Sequence, residues 1–162
     1  MIRLVPFLLY LWLIGLHQVF LAEFTSIYGI EINLPALLVL LVAIYKSELD
    51  SCWFGFLVGF VAQAGFSSMT GWYALSMALI GLLAYHVRVR INLENLLSRL
   101  AVVFSGVFIH SAILLILSGS DQWLYQLFTQ ALLGAMYTTL VGWAFFLIKE
   151  GKITFRKFKA IF

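Results

Sequence analysis

An all-α integral membrane bundle is the fold this sequence predicts, and three observations predict it. Hydrophobic residues make up 64% of the chain and charged residues 10%, with a mean hydropathy of +1.05. A soluble domain of 162 residues built from that composition would have too little polar surface to cover itself. The ten basic residues fall only in alternate gaps between apolar stretches: Arg3, then Lys46, then Arg88, Arg90 and Arg99, then Lys149, Lys152, Arg156, Lys157 and Lys159. Lys and Arg are retained on the cytoplasmic side of a membrane, so the alternation predicts six spans with both termini cytoplasmic.

The expected spans are residues 4–22, 28–45, 52–66, 72–87, 100–117 and 130–148, in a single transmembrane domain. The first is long enough at 1.5 Å per residue for a hydrocarbon core of about 30 Å. It lacks a small-x-small cleavage site ahead of Glu23 and reads as a retained anchor rather than a signal peptide. The second has a clean apolar part of only Leu34 to Tyr45, so it is expected to reach back toward Tyr28 to span. Asn33 stands where an N-cap belongs, and Pro35 falls in the first turn, where its missing N–H costs nothing.

The third and fourth segments are short and joined by an uncharged polar turn, 67–71. Short helices beside longer ones mean either a locally thinned bilayer or a central pair shielded by the rest. Segments five and six are longer. Ahead of segment five, Leu93, Leu96, Leu97 and Leu100 recur at helical spacing opposite Glu94, Asn95 and Arg99, the pattern of an interfacial helix. The tail 149–162 alternates Phe155 and Phe158 with Arg156, Lys157 and Lys159, which suits contact with anionic lipid at the cytoplasmic face, or simply a solvated basic tail.

Catalytic chemistry has no visible equipment. No Asp, Glu, Lys or Arg falls in the middle of an expected span, where ionisable groups mark coupled transport or catalysis. Polarity is carried inward only by His17 with Gln18, Gln63 and His110. There is no His-x-x-x-His, Cys-x-x-Cys or Glu-x-x-His pair for a metal, no Gly-x-Ser-x-Gly elbow, and no phosphate-binding glycine loop. Cys52 is alone, which excludes an internal disulfide. No cofactor, metal or nucleic acid is expected.

Small residues are the remaining signal. Gly55 and Gly59 form a Gly-x-x-x-Gly pair whose face Gln63 would continue, and Gly134, Thr138 and Gly142 repeat the idea in segment six. Such stripes let helix backbones approach closely. They serve contacts inside one bundle or the docking of a helix from another protein.

From Asn33 to Tyr85 the chain resembles the MreD family of bacterial rod shape-determining membrane proteins. The resemblance is carried by Leu34-Pro35-Ala36-Leu37-Leu38, by Gly55-Phe56-Leu57-Val58-Gly59-Phe60, by Gly71-Trp72-Tyr73-Ala74-Leu75 and by Gly81-Leu82-Leu83. It implies a multi-pass protein of the bacterial inner membrane without enzymatic activity. Its implied partners are MreC, RodA and a penicillin-binding transpeptidase in the machinery of lateral peptidoglycan synthesis. The implied fold is similar to the substrate-binding S-components of energy-coupling-factor transporters. Many family members carry Asp four residues after the second glycine, where this chain has Gln63; the amide keeps hydrogen bonding without charge.

The expected partner-binding positions are Gly55, Gly59, Gln63, Gly71, Tyr73 and Gly81, with Arg156, Lys157 and Lys159 at the membrane surface. Two other readings stand beside the scaffold. A vitamin-binding subunit of a transporter would use the polar residues Glu23, Thr25, Ser26, Tyr28, Glu31 and Asn33, and a lipid-modifying enzyme would have to draw on Glu31, Asp121 and His110.

Overall fold

The computed structural model describes residues 5–16, 26, 30–63, 70–91, 93–119 and 121–150. These are mostly helical, with no strand among them: α1 (Val5–Leu16), α2 (Leu34–Tyr45), α3 (Glu48–Ala62), α4 (Thr70–Arg90), α5 (Leu96–Ser118) and α6 (Trp123–Lys149). Helices α4, α5 and α6 are long and apolar enough to cross a membrane, and α2 is a shorter apolar helix. The chain is on this evidence a membrane protein. His17, Gln18, Glu23 and the tail with Arg156, Lys157 and Lys159 lie outside the described residues.

Helix α2 occupies the centre. Ten of its twelve residues, Pro35 to Ile44, are buried, and it touches all five other helices. Its all-round apolar sequence is what a helix enclosed by others requires. It does not reach back to Tyr28 as the span length suggested: residues 31–33 are not helical, and the Asn33 side chain accepts from the Ala36 N–H at 3.1 Å, fixing the start. Enclosure removes the need for a full span, because α2 presents almost nothing to lipid. The shielded element is α2 alone and not a central pair, since α3 exposes Trp53, Phe56, Leu57 and Phe60.

Other boundaries move for local reasons. Helix α3 begins four residues before the expected Cys52 because Ser47 caps it, accepting from the Asp50 N–H while its hydroxyl donates to the Asp50 carboxylate at 2.8 Å. Glu48 and Asp50 in the first turn favour that helix terminus electrostatically. It ends at Ala62, so Gln63 is its C-cap and does not continue the glycine face. The interfacial helix expected at 92–100 is instead a turn at 93–95 running into α5, with Asn95 capping through the Leu97 N–H at 3.2 Å. Leu93, Leu96 and Leu100 do pack on the core, whereas Leu97 is 71% exposed. Helix α5 stops at Gly119, whose φ of 64° is the left-handed conformation glycine adopts without strain. Helix α6 extends seven residues earlier than the expected 130 and contains a π-helical stretch, Leu127–Leu132.

Side-chain contacts gather the basic residues at one end. The Arg88 guanidinium donates to the carbonyls of Lys46 at 2.7 Å and Ala43 at 3.1 Å, taking up acceptors that the C-terminus of α2 leaves free. Lys149 lies over the Tyr45 ring, 2.9 Å from its centroid. Arg99 pairs with Glu150 at 2.9 Å and donates to the carbonyls of Leu93 and Glu94. Arg90 closes α4 at the same end.

Candidate functional site: a polar cavity and an apolar groove

The glycine seam sets the geometry of everything beside it. Helices α3 and α4 run antiparallel and form the most extensive helix pair. A Cβ on Gly55 would stand 2.6 Å from the Met77 carbonyl oxygen, one on Gly59 2.5 Å from Ala74 Cα, and one on Gly81 2.7 Å from the Ser51 carbonyl oxygen. No side chain fits at those distances, so glycine here is a condition of the backbone approach. Of the two uses the sequence allowed for this stripe, the bundle's own packing takes it. A foreign helix has no access to the face of Gly55, Gly59 and Gly81 while α3 and α4 are joined.

Thr138 and Gly142 on α6 are likewise turned inward. A Cβ on Gly142 would meet Leu37 at 3.1 Å, and the buried Thr138 hydroxyl donates to the Gly134 carbonyl at 2.7 Å while accepting from the Asn33 main-chain N–H at 3.0 Å. Gly71 differs: among the described residues no atom lies within 4 Å of an added Cβ, and its position in the first turn of α4 is exposed.

Close approach at Gly59 holds Tyr73 and the next turn of α4 against α5. The Tyr73 ring stands edge-on to His110 with centroids 4.9 Å apart, and both residues are buried. The Ser76 hydroxyl has one proton, which it directs to the Tyr73 carbonyl at 2.9 Å. Its oxygen is then left to accept from His110 Nδ1 at 3.2 Å. Among the described residues His110 Nε2 has no hydrogen-bond partner. His110 is thus a residue of the packed interior, held by Ser76 and Tyr73.

Beyond this layer, at the end opposite the basic residues, a cavity of about 350 Å³ opens between α3, α4, α5 and α6. Gln63, Tyr73, Ser111, Ser118 and Gln130 supply its polar wall, with Leu114, Leu115 and Ala131 between them. Two of the six expected partner-binding positions, Gln63 and Tyr73, are brought together here, while Gly55, Gly59 and Gly81 lie in the seam and Gly71 apart from both. Gln130, Ser111 and Ser118 were missed by sequence reasoning. Gln130 and Ala131 belong to the π-helical stretch of α6, and no spacing rule in the sequence marks that departure.

A second concavity is apolar. Leu100, Ala101, Phe104, Met136, Thr139, Leu140 and Trp143 line a groove of about 530 Å³ between α5 and α6 on the outer surface of the bundle. Leu140 and Met136 are more than half exposed there. Among the described residues no group of three or more His, Cys, Asp or Glu side chains is placed to hold a metal ion. Compared with known proteins, the chain matches no family model, no curated protein and no solved structure.

Proposed function

We propose that this protein is a non-enzymatic scaffold of the bacterial inner membrane, binding MreC and helping to organise RodA and a penicillin-binding transpeptidase for lateral peptidoglycan synthesis and rod shape. The motif order from Asn33 to Tyr85 motivates the family part of this reading. The observation that carries the docking part is the groove between α5 and α6. It is lined by long apolar side chains on its rims with Ala101 and Thr139 among them, and it faces outward on two helices long enough to span. Transmembrane helices associate through close packing at small residues and occasional side-chain hydrogen bonds, and this surface offers both.

In this reading six spans place both termini in the cytoplasm, with the basic end of the bundle and the tail 149–162 against anionic lipid. The test is affinity purification of the tagged protein from its native membrane, followed by mass spectrometry. Recovery of MreC with wall-synthesis enzymes is the expected result, and Ala101→Trp, which fills the groove, is expected to lose them while the protein still inserts. Recovery of transporter ATPases in their place would sink the scaffold reading. Unchanged capture of MreC by Ala101→Trp would move the docking surface elsewhere.

A further inference from the structure

The cavity at the Gln63 and Gln130 end is not explained by a docking groove on another face, and its lining is chemically selective. We propose that it is a binding site for an uncharged amphiphile. Its hydroxyl- or amide-bearing head would sit among Gln63, Tyr73, Ser111, Ser118 and Gln130, and its hydrocarbon chain along an adjoining apolar hollow. Leu115 lines both hollows: the polar one is about 350 Å³, and the apolar one, about 360 Å³, is lined by Leu115, Ile116, Gly119 and Trp123.

Three features select the ligand class. The polar wall is made of two amides and three hydroxyls, none with a formal charge, and the Ser118 hydroxyl, whose proton goes to the Leu115 carbonyl at 2.8 Å, faces a ligand as an acceptor. An anionic head placed there would lose its hydration without gaining a counter-charge, since Lys46, Arg88, Arg90, Arg99 and Lys149 sit at the opposite end and the charge whose field reaches Tyr73 is the Glu31 carboxylate. The volume falls in the range of small-molecule pockets, roughly 300–1,000 Å³. The π-helical stretch Leu127–Leu132 supplies Gln130 and Ala131 to the wall. Single π-turns inside α-helices weaken the regular ladder and concentrate where a site needs a side chain out of register.

The full-length protein in phosphatidylcholine nanodiscs doped with equal amounts of dioleoylglycerol and dioleoylphosphatidate, which share their chains and differ in head charge, provides the test. Native mass spectrometry reads the lipid that stays bound on release. Retention of dioleoylglycerol over the phosphatidate by about fivefold or more is expected. The Gln63→Leu/Gln130→Leu variant is expected to bring that ratio close to one, and Ser111→Ala/Ser118→Ala, which alters less volume, to lower it by at least half. Equal retention of both lipids, preference for the phosphatidate, or an unchanged ratio in a variant that keeps its helical circular dichroism would each overturn the proposal. If the glutamine variant does not fold, the wild-type ratio and the serine variant decide the question.

Discussion

The main-chain N–H of Asn33 donates to the Thr138 hydroxyl at 3.0 Å, linking the start of the central helix to α6 across 105 positions of sequence. Thr138 is fully buried, and its own proton is committed to Gly134, so one hydroxyl serves both helices. Thr138→Val keeps the shape and removes the acceptor, leaving the Asn33 N–H unpaired. A loss of about 1–3 kcal/mol is expected from unfolding titrations in mixed micelles. Thr138→Ser, which keeps the acceptor, is expected to lose less than the valine variant.

Gly59 and Gly71 give opposite expectations for the same substitution. A methyl at Gly59 would drive into the backbone of Ala74, whereas one at Gly71 meets none of the described residues within 4 Å. Gly59→Ala is therefore expected to cost about 1–3 kcal/mol as α3 and α4 are forced apart. Gly71→Ala is expected to be neutral or to stabilise by up to about 1 kcal/mol through helix propensity. Equal thermal midpoints for the two variants would contradict the seam. Loss of partner capture by a bulky residue at Gly59 reports on the bundle itself, which is why Ala101 is the sharper probe of docking.

Arg88 ties the end of α4 to the last carbonyls of α2. Arg88→Met keeps much of the apolar stem and removes the donors to Ala43 and Lys46, with an expected loss of about 1–3 kcal/mol. Both bonds come from the single nitrogen Nη1, so Arg88→Lys, whose ammonium carries three N–H donors on a shorter stem, is expected to recover part of the loss. Unfolding midpoints of the two variants check both the size and the order.

His110 is expected to be dispensable for stability and sensitive to volume. His110→Phe loses the bond to Ser76, worth about 0.5–1.5 kcal/mol, and also removes a buried unpaired nitrogen that costs about 1–3 kcal/mol. Its unfolding midpoint should equal or exceed that of the parent. His110→Ala instead empties a fully buried position and should cost about 2–4 kcal/mol. A phenylalanine variant less stable than the alanine variant would show that Nε2 has a polar partner.

Much of the helical pattern was legible in the sequence, because apolar runs, caps and charge placement are local signals. Asn33, Pro35 and the grouping of Lys46, Arg88 and Arg99 at one end behave as composition and capping chemistry require. What the sequence left open was which partner each face meets. Gly55 and Gly59 announce a close approach without saying whose backbone approaches, and only the pairing with Met77 and Ala74 answers that. The cavity was half legible through Gln63 and Tyr73. Gln130, Ser111 and Ser118 look like ordinary helix-surface polar residues until the π-helical stretch and the end of α3 bring four helices together around them.

The brevity of α2 bears on how the protein is made. Twelve residues cover about 18 Å, well under the bilayer core, so this helix has no resting place of its own in lipid. It leaves the ribosome before α4, α5 and α6 exist to enclose it, and must wait at the membrane surface with its neighbour α3 until they arrive. A chain ended after residue 63, with Cys52 replaced by Ser, should therefore leave a cysteine placed at Val39 open to a membrane-impermeant thiol reagent that the complete protein excludes. Assembly of this membrane protein is then sequential by necessity: its middle is the last part to be sheltered.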